Sequence, residues 1–446
     1  MRVAVGLALV LLAPGFAGCV GTTSEEGIDA ASQDAVNASD ELEDVQEALD
    51  AGEPSANVDV LGAWKNGVSE EADPHQDKIF VDRGDKVAIL DVSKKDDPEK
   101  VGEIADLPTA LDVKVSDDGN YAFIGDDTSG STEATGGTGP FTGGVYVFDV
   151  SDPRSPERVA YAPVGADRGP HMVYYQQTGD GRELVFSASG NDVTIHEFDR
   201  DADELEELAS YEPGQLAQDR DPNRVGALYN PQAWLHDMFV MEEEDGTLMM
   251  YVAAWDAGLH IVDVTDPGSP EQLGTWSDFG DDEAGNLHTV ATDWIGDRRI
   301  TVGSVEVGFA VVGGTLYATG DEKSVTYVWD TTDPDQPELL GTWTNPVDPT
   351  SGRDYAPDEE ISSTHNLQLE NGRIYQAHYD LGVWVIDVST PAHQSDPATV
   401  GYHYTDEMGT WDVVLNDGVM YTSGDVGVKA LTFALDEPGN GLFSRA

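Results

Sequence analysis

The chain has 446 residues, 85 acidic and 23 basic, for a formal net charge of -62. A surface this acidic repels phosphate and argues against nucleic acid as a partner. Apolar residues make up 39% of the chain, enough for a packed core, and a single cysteine excludes an internal disulfide.

Residues 1–19 read as a targeting segment. Arg2 gives a short basic start, residues 3–13 an apolar run too short to span a bilayer, and Phe16-Ala-Gly-Cys19 a small-residue cleavage site. The only cysteine sits at that site and resembles a lipobox. This implies lipidation of Cys19, a membrane anchor and an extracellular location. Residues 20–56, rich in Ser, Thr, Ala, Asp and Glu, read as an acidic flexible tether. Within it residues 39–50 can form a short acidic helix, with no evident core to receive it. Asn37-Ala-Ser39 is a glycosylation sequon on that exposed stretch.

From residue 57 to 436 one pattern recurs. Gly258-Leu-His-Ile-Val-Asp263 is an alternating, β-branched strand that leads through Asp266-Pro267 to a second strand ending at Trp276. Copies stand at 86–102, 144–161, 193–211, 327–343 and 382–402. Each is preceded by a strand pair around a tight-turn dipeptide, such as Asp118-Gly119, Asp245-Gly246, Asn371-Gly372 or Asp417-Gly418. The units begin near residues 68, 109, 170, 234, 286, 363 and 409. The last lacks an outer strand, and 58–64 matches the missing piece. The expectation is an all-β propeller of about seven four-stranded blades, closed by an N-terminal strand completing the last blade. Residues 437–446 form a C-terminal tail. A closed ring without open edges is expected to be monomeric.

These repeats resemble the LVIVD-repeat family of surface β-propellers, over nearly all of 57–436. The resemblance implies a secreted or surface-anchored propeller and no common reaction. Low lysine with abundant Asp and Glu resembles proteins of halophilic archaea. Acidity spread along the whole chain then reads as adaptation to concentrated salt, where self-repulsion is screened within about 3 Å at 1 M.

Two residue types in the repeat have structural readings. Asp91, Asp149, Asp263, Asp330 and Asp387 stand where a strand meets a turn and are expected to bond backbone amides. Trp276 and Trp343 are expected to pack between blades. His260 aligns with Tyr146 and Trp384 at a position whose alternation reads as exposed.

Candidate chemistry lies elsewhere. The residue opening each inner strand is Leu111, His171, His236, His288, His365 and Trp411 in blades two to seven. Four of the ten histidines thus share one position. Inner strands line a propeller's channel, so neutral imidazoles would converge at one mouth as ligands for Zn, Cu, Fe or Ni. The turns between second and third strands should reach the same mouth. They bring Trp255, Asp256, His378, Asp380, Asp321 and Asp425 as further ligands or as partners of the imidazoles. Loops at 129–144, 214–232 and 345–363 favour that mouth too. An insertion at 293–313 reads as an extra hairpin at the opposite end.

No phosphate loop, nucleophile elbow, His-Glu-x-x-His or cysteine metal motif is present. The sequence therefore supports a membrane-anchored propeller binding a metal ion or small ligand at a His-lined mouth. A metal-dependent enzyme using the same histidines, or a surface module recognising protein or glycan through its loops, are the alternatives.

Overall fold

The computed structural model describes residues 42, 44–128, 143–164, 169–190, 192–213, 234–280, 285–306, 309–312, 315–318, 324–347, 363–404 and 409–433. Cys19 and Asp321 lie outside them, as do the loops expected at 129–144, 214–232 and 345–363 in all but their first or last residues.

Seven antiparallel sheets make the propeller. In five the four strands follow the chain outward, blade six carries a fifth strand, and blade seven takes its outermost strand from the N-terminal side of the chain. Blade four shows the plan, with strands Asp237–Glu242, Leu248–Ala253, Leu259–Asp263 and Glu271–Trp276 running from the channel outward. The first strand of every blade packs on the first strand of the next, and that of blade seven returns to blade one. The ring closes as expected. Val58–Trp64 pairs antiparallel with Gly427–Phe433, Val58 opposite Phe433 and Trp64 opposite Val428.

The repeat supplies two devices. Asp91, Asp149, Asp263, Asp330 and Asp387 each accept the backbone N–H two residues on, at 2.6–3.0 Å, which fixes the exit from the third strand in five blades. The glycine of the fourth strand receives the neighbouring blade. A Cβ on Gly102 would stand 1.7 Å from the Pro153 carbonyl oxygen, and one on Gly274 2.1 Å from that of Pro334. The Asp-Pro turn of one blade therefore lies directly against the glycine of the blade before it.

Third strands are sandwiched between blades on both faces, so alternation along them does not separate core from solvent. This overturns the exposure expected of His260, which is fully buried, as is Trp384, and Tyr146 is buried too. Its Nδ1 lies 2.9 Å from the Tyr211 hydroxyl. Trp343 is buried beside Trp384, and Trp276 packs on Phe279, Tyr327 and Trp329.

Two further expectations are corrected. The tether does not run to residue 56. Residues 44–51 are helical, Val45 is buried, Leu49 packs on the cluster of Trp384 and Tyr402, and Ser55–Ala56 adds a fifth strand to blade six. Two apolar side chains on one helical face suffice to dock an otherwise acidic segment. The insertion of blade five is also placed differently. Leu287–Ile295 and Arg298–Val305 are the ordinary inner pair, and the added hairpin is Phe309–Val312 with Thr315–Ala318. It belongs to the connection between second and third strands, which leaves from the end where His288 stands.

Candidate metal centre

The register of the inner strands brings the seven opening residues to one level. Glu70, Leu111, His171, His236, His288, His365 and Trp411, one from each blade, all line a single cavity of about 350 Å³. The four histidines form an unbroken run, with ring centroids 4.6 Å apart from His171 to His236, 3.8 Å to His288 and 4.2 Å to His365.

Three imidazoles are held in one tautomer. Nδ1 of His236 donates to the His288 carbonyl at 3.0 Å, and Nδ1 of His365 to the Trp411 carbonyl at 2.7 Å. Nδ1 of His171 lies 3.0 Å from the Asp127 carboxylate. A carbonyl or an ionised carboxylate can only accept, so Nδ1 carries the proton, and in the neutral ring Nε2 then holds the lone pair. This is the orientation in which metal-binding histidines are commonly fixed by their neighbours.

Glu306 completes the set. It follows the second strand of blade five and places its carboxylate 3.8 Å from Nε2 of His288. One ligand atom each from His288, Glu306 and His365 lies within 4.8 Å of the other two, so these residues could hold an ion. Burial pushes His365 down to about 4, and burial with the adjacent His236, His365 and His171 rings lowers His288 strongly. Burial raises Glu306 to about 7 against the opposing hydrogen bond from the Tyr379 hydroxyl. His288 and Glu306 are therefore a neutral imidazole beside a carboxyl that titrates near neutrality, not an ion pair. A cation between them would favour the ionised carboxylate and use the imidazole lone pairs.

Glu306 has equivalents. Asp127, Glu306, Tyr379 and Asp425 are the first residues after the second strands of blades two, five, six and seven, and each N–H returns to the start of its own first strand. Asp127 meets His171 and Tyr379 meets Glu306, so two positions per blade build the site.

Of the companions expected at the mouth, Trp255 and Trp411 line the cavity. Trp255 has φ 50° and its ring lies 5.3 Å from that of His236 at 27°. A bulky side chain at positive φ costs about 1–3 kcal/mol, and such strain concentrates at functional sites. His378 is fully buried but is not among the lining residues, while the next residue, Tyr379, is. Asp256 stays within the Trp255–Gly258 turn. Asp425 returns its N–H to Gly409 and acts on the cavity through its charge on Glu70. The Asp380 side chain lies outside the described residues. Asp127, Glu306, Glu70 and Trp234 were not among the expected residues. Aligning the ends of the second strands would have found Asp127 and Glu306.

Beneath the histidines the channel is filled. Asp112 accepts from Val173 N–H at 2.8 Å and from Lys114, Asp412 accepts from Ala72 N–H at 3.0 Å, and Thr289 donates to Asp237 at 2.8 Å. The bonds to Val173, Ala72 and Thr289 staple neighbouring inner strands, and that of Lys114 to Asp112 lies within one strand.

Comparison with known proteins agrees on the repeat and the fold. The profile of the LVIVD repeat matches residues 109–130 and 249–278. These stretches carry LVIVD repeats. A search of the curated proteins gives no match. Among solved structures, the WD40 β-propeller domain of Doa1 shares 9% identity, with a TM-score of 0.53, 84% of this chain covered and 96% of that one. The β-propeller domain of Myceliophteria thermophila Cps50 (Swd1) shares 11%, TM-score 0.51, covering 84% and 99%. The periplasmic gluconolactonase PpgL of Pseudomonas aeruginosa shares 13%, TM-score 0.52, covering 80% and 87%. Likeness at these identities concerns the propeller fold alone.

Proposed function

We propose that the protein binds a first-row transition ion (Zn, Cu, Fe or Ni) at the channel mouth, through His288, His365 and Glu306 with His236 and His171 beside them. The observation that carries this reading is the convergence of His288, Glu306 and His365 within 4.8 Å on one cavity. The fixed tautomers of His236, His365 and His171 support it. Imidazole and carboxylate donors suit such ions, and burial keeps His288 and His365 neutral and able to bind.

A second reading extends the first. A cavity of about 350 Å³ beside the ligand set leaves room for a substrate, as a catalytic metal requires. There the ion would act as a Lewis acid on a bound oxygen. We further propose that the propeller works outside the cell, anchored through lipidated Cys19 on the acidic segment that precedes residue 44. Mass analysis of the mature N-terminus, and release of a Cys19→Ser variant into the medium, test the anchor.

For the metal, elemental analysis of protein purified in concentrated salt decides. Wild type should hold stoichiometric transition metal, and a His288→Ala/His365→Ala variant should hold none. A wild-type protein that stays metal-free after reconstitution with each of the four ions defeats the reading.

A further inference from the structure

The seven opening residues stand around a ring, so a residue's blade fixes what it faces. In a seven-membered cycle, blade one lies opposite the junction of blades four and five. Glu70 of blade one therefore stands across the cavity from His236 and His288, flanked by Leu111 and Trp411 of the adjoining blades. No described residue donates a hydrogen bond to the Glu70 carboxylate, and no lysine or arginine is among the residues lining the cavity. Burial and the nearby Asp425 raise its pKa, as expected of a carboxylate lacking a counter-ion.

A second unmet group belongs to Trp255. Its indole N–H is buried without an acceptor, and its backbone is held at φ 50° to keep the ring against His236. The metal side thus offers a donor that nothing in the described protein uses, and the far side an acceptor in the same condition.

We propose that the cavity binds small primary amines bearing a carboxylate at the far end, with the ammonium on Glu70 and the carboxylate between the metal and the Trp255 indole N–H. This assignment rests on the metal reading given above for the oxygen end only. Glu70 accepts from the ammonium, and the Trp411 indole of the adjoining blade adds attraction for a cation. Leu111 and Met172 pack on the methylene chain between the two ends. Anions without an ammonium lose the contact at Glu70 and meet its charge instead.

Calorimetric titration of the metal-loaded protein with glycine, 3-aminopropanoate, 4-aminobutanoate and 5-aminopentanoate tests this, beside their N-acetyl derivatives. Affinity should peak at one chain length, and acetylation of the best ligand should weaken it by about tenfold or more. Glu70→Gln should weaken the free amine by a similar factor, leave metal content unchanged and leave the acetylated ligand unaffected. Trp255→Phe keeps the ring and removes the donor, and should weaken both ligands. Equal binding of amine and acetylated ligand, or indifference to Glu70→Gln, overturns the proposal. If the protein takes up no metal, the same titration of the metal-free protein separates the two ideas. Glu70-dependent amine binding then upholds the amine end, and none refutes it.

Discussion

Nδ1 of His236 donates its proton to the main-chain carbonyl of His288, 3.0 Å away in the next blade. One histidine is thereby oriented by the backbone of its neighbour, so spacing between blades sets the direction of the ligand lone pair. His365 repeats the arrangement with the Trp411 carbonyl.

At His171 the same role falls to a side chain, Asp127. Replacing Asp127 with Ala frees the ring to turn or change tautomer. We expect metal affinity to fall about 10–100-fold, the usual effect of losing a partner of a ligating histidine. Competition titration with a chromophoric chelator measures it. Unchanged affinity would remove His171 from the site and leave His236, His288, His365 and Glu306 in place.

Tyr379 donates to Glu306, and its hydroxyl is the one described side-chain donor to that carboxylate. Tyr379→Phe should keep the stoichiometry of the metal and lower its affinity, because the carboxylate loses the bond that favours its ionised form. Full loss of the ion would instead make Tyr379 part of the first contacts. Visible absorption of the cobalt-substituted protein distinguishes the two results.

Gly102 accommodates the Pro153 carbonyl of the following blade, where a Cβ would approach to 1.7 Å. Gly102→Ala should destabilise the propeller by about 1–3 kcal/mol through overpacking. Gly268→Ala, whose Cβ would come no nearer than 3.4 Å to Asp266, should be close to neutral. Denaturant unfolding of the two variants in the same salt makes the comparison, and equal stability would show that the turn does not bear on the glycine.

His196 sits buried in the third strand of blade three with no partner for Nδ1, and burial pushes its pKa down to about 4. The unfolded chain holds this group near its ordinary value of about 6.5. Between those values the unfolded state binds a proton that the native state refuses. Stability from this group is therefore full above 6.5 and is lost as pH falls towards 4, by at most about 3 kcal/mol. Buried carboxyls with raised pKa, such as Asp412 at about 6, act in the opposite sense and lose stability as pH rises. The difference between wild type and His196→Phe isolates the histidine. It should move in favour of the variant between pH 7 and pH 4, and a constant difference would refute the neutral buried state.

The blade plan was readable because each strand, turn and glycine of the repeat acts locally, and recurrence exposed the register. The histidine ring followed from that register. Glu306 escaped because 298–306 reads as one strand of an inserted hairpin, and only pairing of Arg298–Val305 with Leu287–Ile295 ends the strand at the cavity. Glu70 escaped for a different reason. It stands in the first blade, where Ala72–His75 is a short strand of Ala, Asp, Pro and His with little strand pattern of its own. His260 was misread because alternation reports two faces and not what covers each of them.

The pairing of Val58–Trp64 with Gly427–Phe433 has a consequence for synthesis. The strand that closes the ring is among the first of the propeller to leave the ribosome, and its partner is the last. Until then the outer edge of blade seven is unpaired, and blades one to six must persist as an open arc. Closure is thus the slowest contact to form by loop length, and an arrest or truncation near the C-terminus would leave the arc with a sticky strand edge.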